Sequence, residues 1–302
     1  MALARRPSRR PSPRADVPAR DRFRTLDAYR ARRELQRYAG TGQRDLYREL
    51  RERFLARHRV PDGWAVDLGS GPGRFLAYIG GTGSRKVALD ISREMLKLVD
   101  EGGASSGAVP PRADRVRGDA LRPPLAIGRW SEVVLLGNTL GFAEDSSERL
   151  LRASEILVRP GGVLVTEIAP SSGERSRYLA RLPPSALGRL LRAPTAALLP
   201  RILREGFRPE PARRKHAGEF RRLHVADLHA RWHTAEWEVT ETIAVAPAIG
   251  ADGSRIAAAR KDPKAWDHLL EVEEALGRLP DRWPHAASVL LAVRRRAAEA
   301  ED

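Results

Sequence analysis

"VDLGSGPGRF", residues 66–75, ends a short apolar run in an aspartate and then places glycines at alternate positions, Gly69, Gly71 and Gly73. A strand that closes in such a turn, with a helix behind it, aims main-chain N–H groups and a helix N-terminus into the crevice beyond. Glycine is required where the main chain takes a positive φ, or where a Cβ would hold a ligand away. These positions, with Ser70 between the first two, therefore mark close approach of a ligand to the backbone. The spacing is G-x-G-x-G, not the G-x-G-x-x-G of dinucleotide-binding turns. Asp67, two residues ahead of the first glycine, would repel a pyrophosphate and attract an ammonium. The ligand implied carries an amino-acid head.

Outward from this turn the rhythm is strand–helix–strand. Apolar runs at 64–68, 86–90, 115–118, 131–136 and 163–168 read as strands, with helices at 73–80, 92–100 and 145–158. "RPGG" at 159–162 closes a helix and turns into the fifth strand. Runs that are apolar on both faces and alternate with helices predict a parallel, doubly wound α/β sheet. Residues 171–222 break the alternation; rich in Arg, Pro and Leu, they predict inserted helices. "VADLHARWHTAEWEVTETIAVA", 225–246, reads as a helix running into a strand at 237–245, with Trp232 and Trp237 as core. A helix at 264–278 and a last strand at 287–294 follow.

Upstream, residues 1–19 are rich in Pro, Ser and Arg and are expected to be a disordered basic tail. From 20 to 59 the pattern is helical, through Phe23, Leu26, Tyr29, Leu35 and Tyr38. After a break at 41–42, Leu46, Leu50 and Phe54 recur at i, i+4, i+8. These helices could be a lid, an RNA-binding surface or a flank of the main domain, which runs over 60–302.

The chain has 302 residues and no cysteine, which excludes disulfides, thiolate metal sites and a cysteine nucleophile. No apolar run approaches the roughly 18 residues that span a bilayer, so a soluble, cytoplasmic protein without membrane contact is expected. Of the net charge of +15, residues 1–60 contribute +11, from eighteen arginines against seven acids. A basic segment of this kind suits a phosphate grip.

Acids recur at the following strand ends. Asp90 closes the second strand, where a carboxylate can accept from both hydroxyls of a ribose. Ile91 and Met95 offer apolar surface for a purine, and Ser92 is a helix cap. Asp119, in "RGDAL", stands where it could accept from an exocyclic amine.

The blocks "VDLGSGPGRF", "ALDISREML", "RGDALRPPL", "VVLLGNTLGF" and "LVRPGGVLVTE" resemble, in order and spacing, the class I S-adenosylmethionine-dependent methyltransferases over about residues 60–170. The resemblance implies a seven-stranded sheet with an antiparallel last strand, and S-adenosyl-L-methionine as cofactor. Asp67 and the turn of Gly69, Ser70, Gly71 and Gly73 would hold its methionine part, and Asp90 its ribose. Asp119 and the Ala120 main chain would hold the adenine, and Gly137 completes the set.

The residues after strand four usually face the acceptor in this family; here they are "GNTLGF", 137–142. The Asn-Pro-Pro-aromatic block of planar-amide and base-amine enzymes is absent. So is a Lys-Asp-Lys-Glu set for ribose 2′-O transfer. "LLGNTLGF" resembles the LGNS block of glycine-type N-methyltransferases, which implies that Asn138 lies near a substrate carboxylate; Phe142 could line the same pocket. "RRKHAGEFRRLH", 213–224, could present Arg222 and His224 to an acidic acceptor. Glu167 and His224 are the candidates for removing an acceptor proton. His229 and His233 share a helix face, but there is no H-E-x-x-H, and no metal is expected. A small-molecule acceptor, amine or hydroxyl, is the first reading. An RNA or ribosome substrate gripped through residues 1–59 stays open, as does a cofactor-binding partner protein without turnover. Oligomeric state is not legible.

Overall fold

Two helices, Ala28–Gln36 (α1) and Gly42–His58 (α2), precede the first strand, Trp64–Leu68 (β1). There follow Arg85–Asp90 (β2), Arg93–Lys97 (α3), Ala113–Arg117 (β3), Trp130–Leu135 (β4), Thr139–Phe142 (α4), Ser147–Glu155 (α5) and Val158–Ile168 (β5). Short strands Glu174–Ser176 (β6) and Pro209–Pro211 (β7) lead to Val225–Trp232 (α6), Trp237–Val245 (β8), Gly253–Arg260 (α7), Pro263–Gly277 (α8) and Ser288–Arg295 (β9). This computed structural model describes residues 24, 28–36, 42–101, 112–137, 139–169, 174–176, 209–211, 223–247, 253–286 and 288–297. The tail 1–19, Phe23, Leu26, Tyr38, Asn138, Arg222 and most of the insert lie outside them, as does the Phe142 side chain.

The main sheet has seven strands in the order β3-β2-β1-β4-β5-β9-β8. β1 to β5 are parallel, and β9 runs antiparallel between β5 and β8. This is the doubly wound sheet with one reversed strand that the blocks implied. The order reverses at β1, which is flanked by β2 and β4, and such a switch point opens a crevice at the carboxyl ends of the strands. Successive residues of β1 feed opposite cores. Ala65 packs with Leu46, Leu50 and Phe54 of α2 and Leu269 of α8, while Val66 and Leu68 pack with Leu150 of α5 and Trp232 of α6. Burial on both faces is why the strands read as unbroken apolar runs.

α2 is tied into this layer by charge as well as by packing. Arg57 reaches Glu241 of β8 (3.1 Å) and Glu274 of α8 (2.7 Å), and His58 Nε2 lies 2.7 Å from Glu241. Burial would raise the Glu241 carboxyl, but hydrogen bonds from His58 and Arg57 and the nearby guanidinium charges bring it down to about 2. α1 packs on α3, Ala31 and Leu35 against Met95 and Leu98. Arg74 Nη2 also donates to the Glu34 carbonyl at 2.6 Å, binding α1 to the segment behind the glycine turn.

Three local expectations differ. No helix spans 73–80; the chain runs through successive turns, with Gly73 N–H donating to Ser70 O, Leu76 to Gly73 O and Tyr78 to Phe75 O. Positive φ at Gly69, Gly71 and Gly73, followed by another at Gly80, leaves too short a stretch of right-handed backbone to repay helix nucleation. "RPGG" lies within β5 as an irregularity opposite Trp130–Glu132, not ahead of the strand. Within the insert, 174–176 and 209–211 pair as an antiparallel ribbon where helix was expected.

Below the turn segment, Glu132 of β4 is fully buried. Its Oε2 accepts from Gly80 N–H (2.8 Å) and Val60 N–H (3.2 Å), so it ties the entry of β1 to the end of the turns. Burial pushes this carboxyl up to about 7. Among the described residues no helix is long and apolar enough to cross a membrane, and no group of three or more His, Asp or Glu is placed to hold a metal ion.

Candidate functional site

The glycine turn is fastened to the end of β2. Gly69 and Ser70 N–H both donate to Leu89 O, at 2.8 and 3.0 Å. Gly71 N–H donates to Asp90 Oδ2 (2.8 Å), while Oδ1 accepts from Ser92 N–H (2.7 Å) at the start of α3. The three glycines differ in what surrounds them. A Cβ on Gly69 would stand 2.6 Å from Thr139 Cγ2, and one on Gly73 2.7 Å from Leu76 Cδ1. A Cβ on Gly71 would meet nothing within 4 Å. Gly69 and Gly73 therefore let the chain pack on itself, and Gly71 (φ +54°) faces open space.

Asp67 is 2% exposed and its Oδ2 has no hydrogen-bond partner. Burial, then the charge of Asp90 beside it, pushes this carboxyl up to about 7. A buried carboxylate without a partner is destabilising, and its complement is a cation. Asp90 is also raised, by burial, against the lowering effect of the main-chain N–H groups it accepts. The end of β3 joins the same rim: Gly118 N–H donates to Asp90 O (3.0 Å), and Asp119 Oδ1 accepts from Leu121 N–H (3.1 Å). Asp119, Ala120 and Ile91 are half-buried. Met95, read as surface for a purine, is 4% exposed and committed to the contact with α1. The residues thus fit a ligand with an ammonium at one end: an orphan acid beside an open glycine turn, with two further acids on adjacent strand ends.

On the other side of β1, Gly137 follows β4 with φ +67° and donates its N–H to Glu167 Oε2 at 2.9 Å. Glu167, at the end of β5, is 2% exposed and is gripped by the guanidinium of Arg51 from α2. Nε donates to Oε2 at 3.0 Å, and Nη2 donates to Oε1. Arg51 Nη1 also donates to Tyr47 O (2.9 Å). Burial would raise Glu167, but the charge and hydrogen bonds of Arg51 outweigh it and hold the carboxyl below its ordinary value. With both oxygens engaged and its proton affinity lowered, Glu167 is poorly suited to be the general base that its strand-end position suggested. Arg51 is the residue that sequence reading missed; nothing in the pattern separates it from its neighbouring arginines.

His224 is exposed at the N-cap of α6, and its side chain makes no capping bond. His229 bonds Thr242 Oγ1 (2.8 Å) and stacks on Trp283; burial, then His233, lowers its pKa. His229 and His233 line an open cavity of about 390 Å³ with Thr240, Glu241 and Thr242 on the edge strand β8, not at the strand ends near Asp67. Trp232 (1% exposed) and Trp237 (7%) belong to the core, as expected.

Residues 66–166 match the family described as "Methyltransferase domain". No curated protein is detectably similar in sequence. Among solved structures, one similar chain is the 1,6-didemethyltoxoflavin-N1-methyltransferase of Burkholderia thailandensis, with bound 1,6-didemethyltoxoflavin and S-adenosylhomocysteine. It is 15% identical, with 83% of this chain and 78% of that chain covered and a TM-score of 0.43. Another is the magnesium protoporphyrin IX methyltransferase of Synechocystis PCC 6803 with bound S-adenosylhomocysteine, 14% identical, with 91% and 97% covered and a TM-score of 0.49. Likenesses this distant bear on neither acceptor nor site. The family match falls on the segment that holds the glycine turn, the three strand-end acids and the turn after β4, and this segment is a methyltransferase domain.

Proposed function

We propose that the protein transfers the methyl group of S-adenosylmethionine to an amine or hydroxyl of a small molecule. The observation that carries this choice of acceptor is the state of the arginines on α2. Each one whose side chain is described ends on a carboxylate of the same chain: Arg48 on Asp45 and Glu52, Arg51 on Glu167, Arg53 on Glu49 and Asp267, Arg57 on Glu241 and Glu274. A helix whose cations are already neutralised is a weak grip for phosphates.

When bound, S-adenosylmethionine supplies a sulfonium methyl that is open to in-line displacement. In this reading Asp67 takes the ammonium and Gly71 lets the ligand approach the main chain. Carboxylate oxygens have lone pairs beyond those used by Gly71 and Ser92, so Asp90 accepts from the ribose. Asp119 and Ala120 receive the adenine. Asn138 and the insert at about 171–222 orient and roof the acceptor. His224 takes the proton of an amine acceptor, because Glu167 is committed to Arg51. The chain's contribution is then alignment and exclusion of water more than chemistry.

The glycines give a separable prediction. Gly69→Ala adds a Cβ against Thr139 at positive φ and is expected to lower stability by about 2–4 kcal/mol. Gly71→Ala costs only the backbone strain, about 1–2 kcal/mol, yet weakens S-adenosylhomocysteine binding at least tenfold. Urea unfolding and titration calorimetry on the two variants check this. Equal binding by Gly71→Ala and wild type would remove Gly71 from the site.

The acceptor class is tested with methyl-labelled S-adenosylmethionine and a cell extract of the source organism, wild type against Asp67→Ala. The expected result is mutant-sensitive label in the small-molecule fraction. Label in nuclease-sensitive polymer overturns the reading in favour of RNA contact through residues 1–59. Tight S-adenosylhomocysteine binding with no label in any fraction makes the protein a binding partner without turnover.

A further inference from the structure

We propose that Arg51 is a positioning residue for methyl transfer: through Glu167 it fixes the turn after β4, and with that turn the acceptor side of the site. The inference rests on the reading above that this turn faces the acceptor. Arg51 lies outside the segment that matches the methyltransferase family, on a helix 116 residues from its partner in sequence.

The carboxylate of Glu167 is the junction. One side receives the planar fork of Arg51, and Oε2 receives Gly137 N–H as well. The carboxylate is 2% exposed, so little water competes for these bonds. Arg51 is itself held from other directions, by Tyr47 O at 2.9 Å and Ser288 Oγ at 3.5 Å, so it cannot swing with the carboxylate.

The turn is anchored at its other end too. Thr139 Oγ1 donates to Leu136 O at 2.7 Å, and its Cγ2 fills the space over Gly69. Thr139 thus holds the far end of the turn by a bond of its own, while Arg51, through Glu167, holds the end at Gly137. Asn138, the residue carried over as the acceptor contact, sits between these two anchors in sequence. A lysine could neutralise Glu167 but has no fork with which to orient it.

The test uses the full chain with three readouts: hydrogen exchange of amides in 136–142 against those in 64–68, the Kd for S-adenosylhomocysteine, and turnover in the extract fraction that wild type labels. Arg51→Met is expected to raise exchange in 136–142 at least tenfold beyond the rise that its loss of global stability produces in 64–68. Turnover should fall at least tenfold, and Kd should stay within threefold. Arg51→Lys is expected to recover thermal stability but not protection of 136–142, a split that a purely structural charge would not produce. Wild-type exchange in a folded Arg51→Met variant overturns the inference, as does a Kd that rises in step with the loss of turnover.

If Arg51→Met does not fold, the double variant with Glu167→Gln leaves no unpaired buried charge and is read by the same criteria. Tenfold faster exchange in 136–142 supports the inference and wild-type exchange refutes it. A wild-type protein that does not bind S-adenosylhomocysteine refutes the site itself. Normal binding with unaltered Arg51 variants refutes only the role of Arg51.

Discussion

Asp67→Asn is expected to weaken S-adenosylhomocysteine binding at least a hundredfold at pH 8 while making the ligand-free protein more stable. Both effects follow from one buried carboxylate whose Oδ2 has no hydrogen-bond partner. Losing a desolvated ion pair with the ligand's ammonium costs about 3 kcal/mol or more, which is about a hundredfold in Kd. Burial raises the pKa of the folded carboxyl to about 7, against 3.8 for an unperturbed aspartate, so it keeps its proton across most of the window between them. Across that window the folded state holds more protons than the unfolded one, so ligand-free stability falls as pH rises from about 4 to 7. The asparagine variant escapes this loss and should gain about 2–4 kcal/mol above pH 7. Binding by wild type requires the ionised acid and releases its proton, so affinity should rise about tenfold from pH 6 to pH 8; that of the variant should stay flat. Calorimetric titrations at several pH values, with urea unfolding alongside, check both halves. Wild-type affinity in the asparagine variant would remove Asp67 from the cofactor site.

Arg51→Met should lower stability by about 3–5 kcal/mol near neutral pH, because it strands the Glu167 charge inside the protein. The double variant with Glu167→Gln should recover much of that loss, because the stranded charge, not the lost attraction, is the larger penalty. Glu167 has a lowered pKa in the folded state, so its contribution is present above the unfolded value of about 4.5 and is lost as pH falls through the folded one. The gap between wild type and Arg51→Met should therefore close on acidification. Unfolding midpoints at pH 7 and pH 4 measure this, and a gap that persists in acid would assign the effect to packing.

Only features dictated by neighbours along the chain could be read before the fold was known. Strands buried on both faces appear as unbroken apolar runs, so β1, β2, β4 and β5 were legible to within a few residues. Asp67, Asp90 and Asp119 were legible because each stands at or within two residues of its strand's end, and the glycine turn because three alternate glycines have few uses. The failures are where one local preference overrode another or where a distant residue decided the outcome. The helix expected at 73–80 was lost to positive φ at both its ends, Gly73 and Gly80. The separate duties of Gly69, Gly71 and Gly73 depend on Thr139, on Leu76 and on open space, which no spacing encodes.

Met95 looked like ligand surface until α1 covered it. The arginines of α2 looked like one basic face, yet the carboxylates that neutralise Arg51 and Arg57 come from β5, β8 and α8, more than a hundred residues away. These points were settled by contacts between distant parts of the chain. Charge pairing and burial depend on which groups the fold brings together in a medium of low dielectric, and separation along the chain does not record that.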